Sequence, residues 1–136
     1  MRRDDHCHSR ELYLRPATTN VILALMKIDG NNIVLIYVTF PDQKSATELA
    51  RTSIEQKLAA CANVFAPHIS VYRWNQKVET ATETAVIFKT SRRMADKLRH
   101  LIDEHHDYDV PCIVTLDPSH VAKPFSDWIH DSVESD

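Results

Sequence analysis

Glycine is almost missing: in 136 residues Gly30 is the one instance, where ordinary usage of roughly 7% gives about ten. The shortage excludes several chemistries. A P-loop needs two glycines and a dinucleotide fingerprint three, because the backbone must approach phosphate closely. A nucleophile elbow needs two around its serine. P-loop ATP hydrolysis, Rossmann NAD chemistry and α/β-hydrolase chemistry therefore fall away. Long apolar runs are missing too. Val21–Met26 and Ile33–Val38 are strand-sized, against the roughly 20 residues that span a bilayer. Nothing of signal-peptide character follows the Met-Arg-Arg-Asp-Asp-His opening. Neither membrane insertion nor secretion is expected. Cysteine occurs only as Cys7, Cys61 and Cys112. An odd, widely spaced set is no disulfide framework and suits a reducing, cytoplasmic compartment. Basic clusters stop at Arg92-Arg93, and sixteen Lys+Arg stand against nineteen Asp+Glu, so no nucleic-acid partner is expected.

What is present reads as one small domain behind an extension. Residues 1–30 show no sustained periodicity and are read as a mobile extension. The His6-Cys7-His8 triplet within it is a poor preorganised metal site, because adjacent ligands on a flexible tail are not held together. Val21–Met26 is either a short docking segment or an extra edge strand. Asp29-Gly30-Asn31-Asn32 is a turn cluster, and the folded domain is assigned to residues 31–136. Ile33–Thr39 is continuously apolar, as in a strand buried on both faces. Asp42 is a candidate N-cap for an amphipathic helix whose apolar stripe is Ala46, Leu49, Ala50, Ile54, Leu58 and Cys61, ending near Ala60. Ala62–Trp74 reads as a strand with Pro67 as a bend or edge position. Asn75-Gln76 turns the chain into Lys77–Thr90, where Val78, Thr80, Thr82, Thr84, Val86 and Phe88 share a face. Ser91 caps a second helix striped by Met94, Leu98, Leu101, Ile102 and His105; Asp109-Val110-Pro111 stops it. Cys112–Leu116 is a fourth strand, and Phe125, Trp128, Ile129 and Val133 mark a short terminal helix with Pro124 in its first turn. The fold class is α+β: a ferredoxin-like βαββαβ sandwich with helices on one sheet face, an extended hairpin between its second and third strands (Ala62–Trp74 and Lys77–Thr90) and a C-terminal helix.

The hairpin is too long for its domain. About thirteen residues of strand span roughly 43 Å, whereas about eighteen residues of helix cover roughly 27 Å. A bare ribbon is marginal in water, yet this one carries Val71, Tyr72, Trp74 and Val78. A partner subunit whose sheet completes the ribbon resolves the conflict. The alternative is that Pro67 divides the strand into two shorter pieces.

Six short stretches, in order, resemble the CutA family of divalent-cation-tolerance proteins. They are Thr39-Phe40-Pro41-Asp42, Lys57–Val64 (KLAACANV), Tyr72-Arg73-Trp74 with Lys77-Val78, Phe88-Lys89-Thr90, His106 with Tyr108–Pro111 (YDVP), and Asp127-Trp128-Ile129. The match runs over about residues 33–133. The resemblance implies a homotrimer of ferredoxin-like subunits with paired hairpins, a role in tolerance of copper and other divalent cations, and an architecture like the PII signalling trimers. It aligns His105 and His106 with proposed metal ligands. The sequence departs from the family pattern where Gln76 replaces a hairpin glycine, Asp107 replaces a proline, Cys112 replaces a common acid, and Val38 stands where some members have a cysteine.

Three sets of residues are candidates for chemistry. His105 and His106 end the second helix, and imidazole is a common ligand for copper, zinc and nickel. Adjacent helical side chains diverge by about 100°, so both reach one ion only where the helix frays. Otherwise His105 packs on the helix stripe and His106 caps the terminus. Cys61 is either a soft copper ligand or a buried structural thiol, and Cys112 is expected in the core. Tyr72, Trp74, Lys89 and Tyr108 combine aromatic faces with a cation, and suit either an intersubunit small-ligand pocket or interface anchoring. No enzyme is expected: Asp103-Glu104-His105-His106 lacks the H-E-x-x-H spacing that puts two histidines on one helix face. The readings are a trimeric copper or divalent-cation binding protein, a PII-like sensor of a small ligand, or a structural trimer organising a protein partner.

Overall fold

The computed structural model describes residues 32–133. The predicted N-terminal extension, with His6-Cys7-His8 and Val21–Met26, lies outside the described residues. Within them the order is β1 (Ile33–Phe40), α1 (Gln43–Glu55), β2 (Cys61–Val64), β3 (His68–Trp74), β4 (Lys77–Ser91), α2 (Arg92–His105), β5 (Ile113–Leu116) and α3 (Lys123–Ser132). The strands pair antiparallel in the order β2-β4-β1-β5, and β3 pairs the outer half of β4. The α+β class holds, with five strands in place of the expected four. Pro67 divides the predicted Ala62–Trp74 strand: Phe65-Ala66-Pro67 separate β2 from β3.

Strand parity places the core. Val34, Ile36, Val38 and Phe40 of β1 share a face with Thr84, Val86, Phe88 and Thr90 of β4, and all are buried. Leu49, Ala50, Met94, Leu98 and Ile102 from α1 and α2 complete this core. On the other face, α3 sets Phe125 and Ile129 near Ile33, Leu35 and Lys89. The helices therefore do not all cover one face, as the sequence pattern suggests; α3 closes one end of the opposite face.

Side-chain caps start the first two helices where expected. The Asp42 carboxylate accepts the Ser45 N–H at 2.7 Å, and this bond holds its pKa below the ordinary carboxylate value. The Ser91 hydroxyl accepts the Met94 N–H at 3.2 Å. The end of α1 differs from expectation. Lys57 turns left-handed at φ 58°. Its N–H bonds to the Ile54 carbonyl at 3.0 Å, and the Leu58 N–H bonds to the Ser53 carbonyl at 2.9 Å. These are the two reverse bonds of a Schellman motif, which normally has glycine at the left-handed position. Leu58, Ala59 and Ala60 are buried in the loop, so apolar spacing that looks helical belongs to a packed connection. Within the helix the buried stripe is Ala46, Leu49, Ala50 and Ser53, and Ile54, expected inward, is exposed. Cys112, expected in the core, is exposed just before β5.

The hairpin tip meets the same glycine shortage. Trp74 pairs with Lys77, leaving a two-residue loop in which Asn75 and Gln76 take φ 49° and 66°. Positive φ at both positions marks a type I′ turn, the one whose twist suits adjacent strands. Each side chain held there costs roughly 1–2 kcal/mol relative to glycine's freedom. Lys57→Gly, at an exposed site, is expected to raise stability by about 0.5–1 kcal/mol after glycine's extra unfolded-state entropy is subtracted. Urea unfolding of the two proteins checks this.

Candidate functional site

The residues predicted to carry chemistry fall in two places. The first is the loop after α2, folded over the end of β1. His106 leaves the helix with ψ 137° and points its ring inward. Its Nε2–H donates to the Thr39 carbonyl at 2.7 Å, and its Nδ1 accepts the Tyr108 N–H at 3.1 Å. Those partners assign the neutral Nε2–H tautomer. The ring stacks on Phe40 with centroids 5.0 Å apart and lies 4.9 Å from the Tyr108 ring. Both nitrogens of His106 are thus committed to holding the loop on β1.

His105 is different. Its Nδ1 lies 2.9 Å from the Leu101 carbonyl, so Nδ1–H donates and the Nε2 lone pair remains available. Metal-binding imidazoles carry this arrangement, one nitrogen fixed by a backbone carbonyl and the other open. His105 and His106 are adjacent, but only His105 has a nitrogen ready for an ion. Among the described residues no three His, Cys, Asp or Glu side chains gather closely enough to hold one.

Beside His106, Tyr108 lies against the base of the hairpin. Burial, then the hydrogen bond and charge of Glu83, with smaller contributions from Tyr72 and Asp107, push its phenol from 10.0 to about 12. Glu83 is buried between Ala81 and Ala85 on the same face of β4, although both are small and cover little of it themselves. Tyr108 therefore meets Glu83, while Tyr72 stands opposite Glu79, four residues farther out on β4, and acts on Tyr108 only through its charge. Trp74 sits at the hairpin tip opposite Lys77, and Lys89 lies six residues beyond Glu83 on β4, about 20 Å away. Within one chain the four aromatic and cationic candidates form no single pocket. The sequence pattern missed Glu83, because Glu79 and Glu83 look alike on one strand face and only the folded loop distinguishes them.

The second place is the pair Cys61 and Lys89, directly opposite on β2 and β4. Cys61 is half-buried, and burial pushes its thiol up, with the Lys89 charge opposing. A metal requires the thiolate. Thr39 pairs with Ala85, four residues along β4 from Lys89 and on its other side, so Cys61 is not brought to the histidines.

Two outcomes follow from the loop. His106→Ala should lower stability by about 1–3 kcal/mol, since it leaves the Thr39 carbonyl and Tyr108 N–H without their partner; chemical denaturation measures this. Tyr108 has a folded pKa above its unfolded value, so its contribution is complete below pH 10 and is lost as pH rises from about 10 to about 12. Wild type should therefore lose stability relative to Tyr108→Phe across that window, read from urea midpoints at its two ends.

Comparison with known proteins fits this framework. Residues 34–132 match the family described as CutA1 divalent ion tolerance protein. The divalent-cation tolerance protein CutA of Thermococcus kodakarensis is 38% identical over 96 residues, which cover 71% of this chain and 91% of that protein. The same-named protein of Archaeoglobus fulgidus is 39% identical over 99 residues, covering 73% and 96%. The crystal structure of divalent ion tolerance protein CutA1 from Ehrlichia chaffeensis superposes with a TM-score of 0.72 at 36% identity, covering 75% of this chain and 95% of that one. By its sequence motifs, its strand order and these likenesses, this chain belongs to the CutA1 divalent ion tolerance family.

Proposed function

We propose that the chain acts in the cytoplasm as a homotrimer in divalent-cation tolerance, binding copper or a similar borderline ion through His105, without catalysis. The open Nε2 of His105 carries the metal part of this reading. One nitrogen is a weak site, so the remaining donors come from neighbouring copies or water. His106 holds the loop that presents His105, and Cys61 stands apart from it.

The assembly rests on uncovered apolar surface. Ile69, Val71 and Val78 are 73%, 67% and 67% exposed on one face of the β3–β4 ribbon. Val114 and Leu116 are each 44% exposed on the face that α3 leaves open. A ribbon of this kind is marginal alone, and its outer edge on β3 has no strand partner among the described residues. A second reading, a PII-like sensor binding a small ligand between subunits, draws support from the buried Glu83 hydrogen-bonded to Tyr108 at the ribbon base, with Tyr72 farther out opposite Glu79.

Calorimetric titration of Cu(II) tests the ion site. His105→Ala should weaken binding at least tenfold; equal affinity in wild type and variant would overturn the assignment. Sedimentation equilibrium tests the assembly. Wild type should weigh three chains, and Val71→Lys with Val78→Lys should weigh one, with its secondary structure kept. A monomeric wild type would refute the trimer.

A further inference from the structure

Between α3 and the sheet lies a cavity of about 210 Å³. Ile33, Leu35, Phe125 and Ile129 supply apolar walls, and Lys89 and His120 are its polar lining. Lys89 is in an unusual setting. It sits on the central strand, flanked on the same face by Leu35 of β1 and Cys61 of β2. Its ammonium lies 5.4 Å from the centre of the Phe125 ring. Among the described residues no carboxylate pairs with it. A half-buried cation between apolar neighbours is poorly solvated, and an anion brought there gains strongly.

The walls limit what that anion is. A dry cavity of about 150 Å³ accommodates benzene, so this one has room for a small ring or short alkyl chain bearing one charged group. Apolar lining with one or two convergent polar groups is the usual form of a small-molecule site. We propose that this cavity binds a small hydrophobic monocarboxylate, with the carboxylate on Lys89 and the apolar body against Phe125 and Ile129. His120 stands at the rim as a second donor. The site is separate from His105 and does not depend on the metal reading.

Cys61 provides an internal reporter, because the Lys89 charge across the ladder favours its thiolate. A bound carboxylate cancels that charge, and alkylation of Cys61 should slow. The experiment titrates phenylacetate into the full chain by calorimetry, with phenylacetamide as the neutral isostere. Cys61 alkylation is followed in parallel by peptide mass spectrometry. The expected result is saturable phenylacetate binding in the millimolar range or tighter. Phenylacetamide, and phenylacetate with Lys89→Met, should each bind at least tenfold more weakly, and Cys61 alkylation should slow severalfold at saturation. Lys89→Gln serves if the Met variant does not fold. Absence of saturable binding, equal affinity for the amide, or unchanged affinity in the folded Lys89 variant would overturn the proposal. So would nuclear Overhauser contacts showing the cavity filled by the chain itself or by a second copy.

Discussion

Strand β4 is the constraint on which the rest of the structure depends. Its fifteen residues span about 50 Å, whereas the thirteen-residue α1 covers about 20 Å. From Thr84 onward β4 is bonded to β1, and over Val86–Lys89 to β2 on its other side; from Lys77 to Glu83 its only strand partner among the described residues is β3. The inner half builds a core and the outer half builds a surface. Glu83 and Tyr108 meet where one half becomes the other, and Lys89 stands near the far end of the buried half. The geometry of the candidate sites thus reduces largely to distance along a single strand.

The near absence of glycine is met by placing other residues in left-handed backbone. Lys57 ends α1, and Asn75 with Gln76 turns the hairpin. All three are exposed, where their side chains reach water without displacing core atoms. Backbone cradling of phosphate is correspondingly foreign to this domain. The groups the fold leaves available are side chains instead: the His105 nitrogen, the Glu83–Tyr108 pair and the Lys89 ammonium.

Much of the fold was legible in the sequence, for local reasons. The apolar run of β1, the Asp42 and Ser91 caps and the period-two pattern of β4 each report their own conformation. What was not legible depended on contacts distant in the chain or on unusual residues at ordinary positions. A lysine at a helix C′ position gives no stop signal, so α1 seemed to continue through Leu58–Ala60. Pro67 signalled either a bend or a break, and only the fold decides between them. The two histidines were visible as a pair, but their difference was not. The Thr39 carbonyl that occupies His106 is 67 residues away, and no local pattern reveals it. Burial of Glu83 depends in the same way on a loop from beyond α2.

The uninterrupted parity of β4 bears on which length changes the family fold can tolerate. Its even-numbered residues, from Val78 through Phe88, face the helix side, and the odd-numbered ones, from Lys77 through Lys89, face the other, with no bulge to absorb an error. Deleting or inserting one residue anywhere in that span reverses every side chain on one side of the change. Near Thr84 it would put Lys89 into the core and Phe88 beside α3; near Val78 it would exchange the faces of the ribbon. Paired changes of two residues, one on each strand of the ribbon, preserve both faces and alter only its reach. Viable length variation in this strand should therefore come in steps of two, at the tip.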